Sequence, residues 1–367
     1  MADPYHVRMA RLLVHYCTGV TEGDYVLISG EAIARPLLLE IYREVLTSGA
    51  HPQLIPTFHE ASYVFYATAS DAQLQYVTPL EKELVERANV SIDILSETNL
   101  KQHTSLDPAR MAMRRKARGG IMERFMERQA TKDLRWVIGP YATQAYAQEA
   151  GMSLEEYEAF VYRACHLDKE DPVAEWKRIS ADQERLCRWL SKRSEFRFVG
   201  KDTDLSMSCA GRTWINCNGD NNMPDGEVFT GPVEDSAQGT IRFTYPGIHD
   251  GREIEDITLT FKEGRVVSAS AAKGGDLLEK TLETDDGSRG IGEIAIGTNY
   301  GIQTFTKNML FDEKMGGTMH LALGAGYPES GSKAVSSLHW DMLKEMRDGG
   351  KVYADGELFY ENGLFVI

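Results

Sequence analysis

Several protein classes are excluded by what this sequence has little of. Its five cysteines (Cys17, Cys165, Cys187, Cys209, Cys217) are odd in number and form no C-x-x-C pair, which argues against a disulfide framework or a structural zinc site. Reduced thiols of a cytoplasmic protein fit that usage better. No apolar run approaches the ~20 residues that a membrane span requires, and the opening Met-Ala-Asp-Pro-Tyr-His carries no charged-then-apolar targeting signal. Positive charge is also scarce. With 40 Lys and Arg against 55 Asp and Glu, the formal net charge is −15. Neither nucleic acid nor an anionic membrane is an expected partner, since both need a basic surface. The one basic run, Arg114-Arg115-Lys116 with Arg118, has glutamates nearby and reads as a solvated helix face.

At 367 residues the chain is longer than one hydrophobic core usually covers, so two domains are expected. Through about residue 195, short apolar runs alternate with helical spacing. Strand candidates are Tyr25 to Ser29, Gln53 to Pro56, Ser91 to Leu95 and Trp136 to Ile138. Helical stretches run over Pro4–Cys17, Arg35–Ser48, Ala72–Ala88, Met111–Arg128, Leu154–Cys165 and Pro172–Lys192. That alternation predicts an α/β N-terminal domain with a mainly parallel sheet over 1–195. From Phe196 the texture changes to short strands with turn signals at Lys262-Glu263-Gly264, Asp355-Gly356 and Asn362-Gly363. A β-rich α+β domain is expected over 196–367, with one helix near Asp276 to Leu282.

Only nine histidines are present, yet His320 and His339 lie close together. His320 stands in a glycine-rich strand, where close backbone approach is easy. His339 has Asp341 at i+2, which on a strand puts both side chains on one face and Trp340 on the other. Met342 to Met346 has helical spacing, so the pair is expected at the end of a strand. Glu227 and Glu293 sit in apolar company, where a carboxylate must be paired or bind a cation. Taken singly, each has an ordinary reading: a hydrogen-bonded core histidine, a turn carboxylate after Pro224-Asp225-Gly226, a turn tyrosine at Tyr327. Pattern alone stops at a possible metal site in a β-rich domain.

In order along the chain, these segments resemble the thermophilic metallo-aminopeptidase family of the aminopeptidase T and S type. The matching elements are Gly226-Glu227-Val228-Phe229-Thr230-Gly231-Pro232, Gly292-Glu293-Ile294-Ala295-Ile296-Gly297-Thr298-Asn299, Asp312-Glu313-Lys314 through His320 to Tyr327-Pro328, and Ser336 to Asp341. The resemblance spans the whole chain. It implies a dinuclear metal centre in the C-terminal domain, removal of N-terminal residues from peptides with broad specificity, and a homodimer. The implied ligands are Glu227, Glu293, His320, His339 and Asp341, with Glu293 bridging and Tyr327 supporting the transition state. Gly231 replaces the expected alanine or serine, and the His320–His339 gap is short. The rim from Glu329 to Lys333 is therefore trimmed, which bears on substrate size.

Charge supports two metals. Three carboxylates and two neutral imidazoles are balanced by two dications and one bridging hydroxide, whereas a single dication leaves a secluded negative charge. Nitrogen and oxygen ligands without thiolate fit zinc, cobalt, manganese or iron alike, and zinc, cobalt or manganese are the expected ions. The expected chemistry is attack of a metal-activated hydroxide on the scissile carbonyl, with Tyr327 donating to the oxyanion and Glu293 passing a proton to the leaving amine. Phe229, Tyr300 and Phe305 are candidates to line a side-chain pocket. The alternative is a ring-cleaving dioxygenase of the same fold, holding one Fe(II) on His320, His339 and Asp341.

Overall fold

The computed structural model describes residues 3–249 and 251–367. Met1 and Ala2, the first residues of the expected signal-free N-terminus, and Asp250 lie outside the described residues. Two compact units form, one of the residues up to Glu175 with Gly219–Pro224, the other of Trp176–Asn218 with Asp225–Ile367. The division falls at Glu175/Trp176, ahead of the change of texture at residue 195.

The first unit is built on an all-parallel sheet in the order His51–Thr57, Tyr25–Glu31, Val90–Leu95, Arg135–Pro140. Parallel strands need crossovers, and helices supply them. The Arg35–Thr47 helix buries Leu37, Leu38, Ile41 and Val45; that spacing makes one apolar stripe. Each such side chain contributes at most about 1.5–3 kcal/mol. Two expected helices prove to be pairs. Ala72–Ala88 breaks into Asp71–Gln75 and Pro79–Arg87. Pro79 forces Thr78 into an extended conformation, and Thr78 and Glu81 close a capping box that starts a new helix. Met111–Arg128 likewise divides into Pro108–Ala117 and Gly119–Ala130 around Arg118. Arg114 and Arg118 of the basic run both reach Glu81, at 2.8 and 3.1 Å.

In the second unit two large antiparallel sheets pack around one core, with a two-stranded sheet of Gly247–His249 and Arg252–Ile254 beside them. The larger has eight strands, from Arg265–Ser270 at one edge to Leu364–Phe365 at the other. All three expected hairpins occur within it, and Glu263, Asp355 and Asn362 each take the left-handed conformation ahead of a left-handed glycine. The smaller sheet runs in the order His339–Glu345, Thr318–Gly324, Ile291–Gly297, Glu227–Thr230, Ile215–Cys217. Phe196, Phe198 and Leu205 of the first sheet share a core with Ile294, Ile296, Leu321, Leu323 and Met342 of the second. The expected helix is at Gly275–Leu282. Met342 to Glu345, by contrast, is strand rather than helix, because it pairs along its length with Thr318–Leu321. Among the described residues no helix is long and apolar enough to cross a membrane.

Candidate metal centre

Register puts every expected ligand on one face of the five-stranded sheet. Gly297 pairs with Glu227 and Ala295 with His320, while Ala322 lies opposite both Glu293 and Asp341. His339 pairs with Gly324. On one flank each ligand thus faces an alanine or a glycine, while His320 faces Leu343 and Glu227 faces Cys217 on the other. The opposite face carries Val228, Ile294, Ile296, Met319, Leu321, Leu323, Trp340 and Met342, all in the core. Trp340 packs there as expected and donates from Nε1 to the Ile248 carbonyl at 3.0 Å.

Glu293 shares the polar face with Ala295 and Gly297 by strand alternation, and a bulge lies just before it. Ile291 pairs with Leu323 but Glu293 with Ala322, so the register slips at Gly292. The extra residue puts Ile291 on the core face, beside Leu323, although it stands two residues before Glu293. A Cβ on Gly292 would lie 2.1 Å from the Ala325 carbonyl oxygen, so glycine is required by close approach.

The five side chains converge. Glu227, Glu293 and His320 form one group of possible ligand atoms, all within 4.8 Å of each other, and Glu293, His339 and Asp341 form a second. Glu293 belongs to both: Oε1 is 3.3 Å from His320 Nε2 and Oε2 is 3.9 Å from His339 Nε2. Asp341 also spans the two, with Oδ2 3.3 Å from His339 Nε2 and Oδ1 4.0 Å from His320 Nε2. Glu227 Oε2 and Asp341 Oδ1 are buried without a hydrogen-bond donor. Buried carboxylate oxygens left in that state are costly, and a cation is the partner their position suits. His339 Nδ1 donates to the Ala325 carbonyl at 2.8 Å, if neutral, leaving Nε2 as the ligand atom. The donor set therefore fits a pair of divalent metals.

Crowding of negative charge shifts the titrations. Burial opposes charge on His320, but the contact with Glu293 and the charges of Glu227 and Asp341 prevail and push it up to about 9. His339 rises to about 10 against its burial, through its bond to Asp341. Burial pushes Glu293 up to about 7. It acts the same way on Asp341, yet the contacts with His339 and His320 hold that carboxyl below its ordinary value. Tyr327 is raised, first by burial and then by the charges of Glu293 and Asp341, so its hydroxyl keeps its proton. Its ring packs edge-on against His339, centroids 5.2 Å apart, and tilted against Phe229 at 5.3 Å.

Three further residues belong to the centre and were missed by the sequence reading. The Lys314 ammonium bonds to Glu227 Oε1, lies 2.8 Å from Glu313 Oε1 and 3.6 Å from Asp225 Oδ1, and is 3% exposed. Burial would favour its neutral form, but the three carboxylates hold it charged. Cys217, Asp225 and Glu227 also come within ligand distance. The ammonium already serves both carboxylates, and burial keeps the Cys217 thiol protonated. The available signal was Asp312-Glu313-Lys314, three charged residues running into an apolar strand. Of the pocket candidates only Phe229 is at the centre. Tyr300 lines a separate cavity of about 600 Å³ with Arg178, Leu186, Trp189 and Phe365, and Phe305 stacks on Tyr245.

A family model described as thermophilic metalloprotease (M29) matches residues 5–365. The chain is 27% identical over 346 residues to aminopeptidase 2 of Geobacillus stearothermophilus, covering 88% of this chain and 83% of the relative. It is 27% identical over 301 residues to aminopeptidase T of Thermus thermophilus, covering 71% and 72%. The solved structure of wild-type AmpT from Thermus thermophilus matches with a TM-score of 0.86 over 99% of both chains, at 22% identity. That last likeness is one of fold.

Proposed function

Because the chain belongs to the thermophilic metalloprotease (M29) family, we propose that it is a metal-dependent aminopeptidase removing N-terminal residues from peptides with broad specificity. The observation that carries the dinuclear form of this reading is Glu293, shared by two ligand groups on one face of one sheet. Glu227, Glu293 and His320 would hold one divalent metal, and Glu293, His339 and Asp341 the other. When bound, such a pair supplies a hydroxide nucleophile near neutral pH and a Lewis acid for the scissile carbonyl.

The chain's own residues do the rest. The Ala325 carbonyl orients His339, and Lys314 turns one oxygen of Glu227 away so that Oε2 faces the centre. Tyr327, kept protonated, donates a hydrogen bond to the oxyanion of the tetrahedral intermediate, a contact typically worth about 3 kcal/mol. Glu293 passes a proton to the leaving amine. Residues 196–367 would carry all of this machinery. An iron site of His320, His339 and Asp341 alone would leave Glu227 and Glu293 buried beside it with unneutralised charge, which disfavours the dioxygenase.

Homodimer formation and a cytoplasmic setting are part of the same reading, and sedimentation measures the first. The deciding experiment is elemental analysis coupled to hydrolysis of leucine p-nitroanilide before and after chelation. Two metals per chain, with activity lost on chelation and restored by zinc, cobalt or manganese, are expected. One iron per chain and no peptidase activity would overturn the proposal.

A further inference from the structure

Five carboxylates gather at the centre, two more than the expected ligand set needs. Asp225 is locked: its Oδ1 accepts from the Gly226 amide at 3.0 Å, it faces Lys314, and its side chain is 3% exposed. Glu313 is different. One oxygen meets Lys314 at 2.8 Å, 19% of its side chain is open, and it belongs to neither group of candidate metal ligands. A single ammonium separates it from Glu227.

Charge makes that surplus meaningful. Asp225, Glu227, Glu293, Glu313 and Asp341 bring five negative charges and Lys314 one positive, so two divalent metals cancel what remains. An anionic nucleophile then leaves the centre one charge negative. Such a charge in a site of low polarity calls for a cation. A peptide N-terminus carries one on its α-ammonium, next to the bond to be cut. An internal peptide bond or a blocked N-terminus brings none.

We propose that Glu313 anchors the α-ammonium group of the peptide substrate and thereby confines cleavage to the first peptide bond. This rests on the aminopeptidase reading above. It makes Glu313 a determinant of specificity that binds substrate and not metal.

The test compares zinc-loaded wild type with Glu313→Gln, which keeps the shape and removes the charge. Both should hold two zinc ions per chain by elemental analysis. For leucine p-nitroanilide, kcat/KM should fall about a hundredfold, as when one partner of a desolvated charge pair is lost. For 4-methylpentanoyl p-nitroanilide, the same substrate without its amine, any residual rate should change little. Glu313→Asp should restore part of the discrimination. Calorimetric binding of 3-methylbutylamine to the zinc-loaded protein should weaken about tenfold or more in Glu313→Gln. Unchanged amine discrimination and amine binding, or loss of a zinc ion, would overturn the role of Glu313. Wild type that carries two zinc ions but leaves leucine p-nitroanilide intact would instead sink the aminopeptidase reading, while amine binding still decides on Glu313.

Discussion

Replacing Lys314 with methionine removes the one ammonium from the base of the centre at nearly constant length. In the native chain its nitrogen serves Glu227, Glu313 and Asp225 from a side chain only 3% exposed, and Glu227 and Asp225 are as deeply buried. Loss of one partner of such a buried set leaves unpaired charge and typically costs about 3–5 kcal/mol. Near the melting temperature, 1 kcal/mol corresponds to about 2–4 °C in a domain of this size. The metal-free variant should therefore melt about 10 °C below the metal-free wild type. Zinc should close part of that gap, because its charge replaces some of the lost compensation. Scanning calorimetry of both proteins, with and without zinc, reads this out. A metal-free Lys314→Met protein melting within 1–2 °C of wild type would refute the assignment of Lys314 as the charge that holds the three carboxylates together.

Tyr327→Phe should keep both metals and lower kcat by about ten- to a thousandfold, the loss of one oxyanion donor; an unchanged kcat makes Tyr327 a turn residue. Glu293→Ala should lose most of its metal while far-ultraviolet circular dichroism stays native, and full occupancy would end the bridging assignment. Gly292→Ala should cut metal content as sharply, because a Cβ there would displace the Ala325 carbonyl that orients His339; normal zinc content would show that the backbone beside Glu293 adapts. Metal binding should release protons below about pH 9, since His320 and His339 sit near 9 and 10 without metal and must be neutral to ligate. Affinity should accordingly rise with pH up to that range, and calorimetry in buffers of different ionisation heat counts the protons. A metal affinity independent of pH between 6 and 9 would contradict these titrations.

Much of the architecture was legible because it rests on local physics. The alternation of strands and helices before residue 195 and the three hairpin turns follow from periodicity and turn chemistry. Two helical stretches divide against their continuous spacing, one of them because a capping box at Thr78 and Glu81 starts a new helix. Met342–Glu345 departs from its local helical spacing for a stronger reason. Its residues favour a helix locally, but pairing with Thr318–Leu321 in a buried sheet overrides that preference.

For the centre, the sequence by itself determined the chemical inventory: which acids and imidazoles lie in apolar, glycine-rich company, and that His339 and Asp341 share a face. Only the tertiary structure decided that residues as far apart as Glu227 and Asp341 lie on one face of one sheet, each with an alanine or glycine opposite it on one flank. It alone decided that Asp225, Glu313 and Lys314 complete the charge balance. The physical reason is that residue type and period are local properties, whereas register and the pairing of buried charges depend on contacts between distant segments.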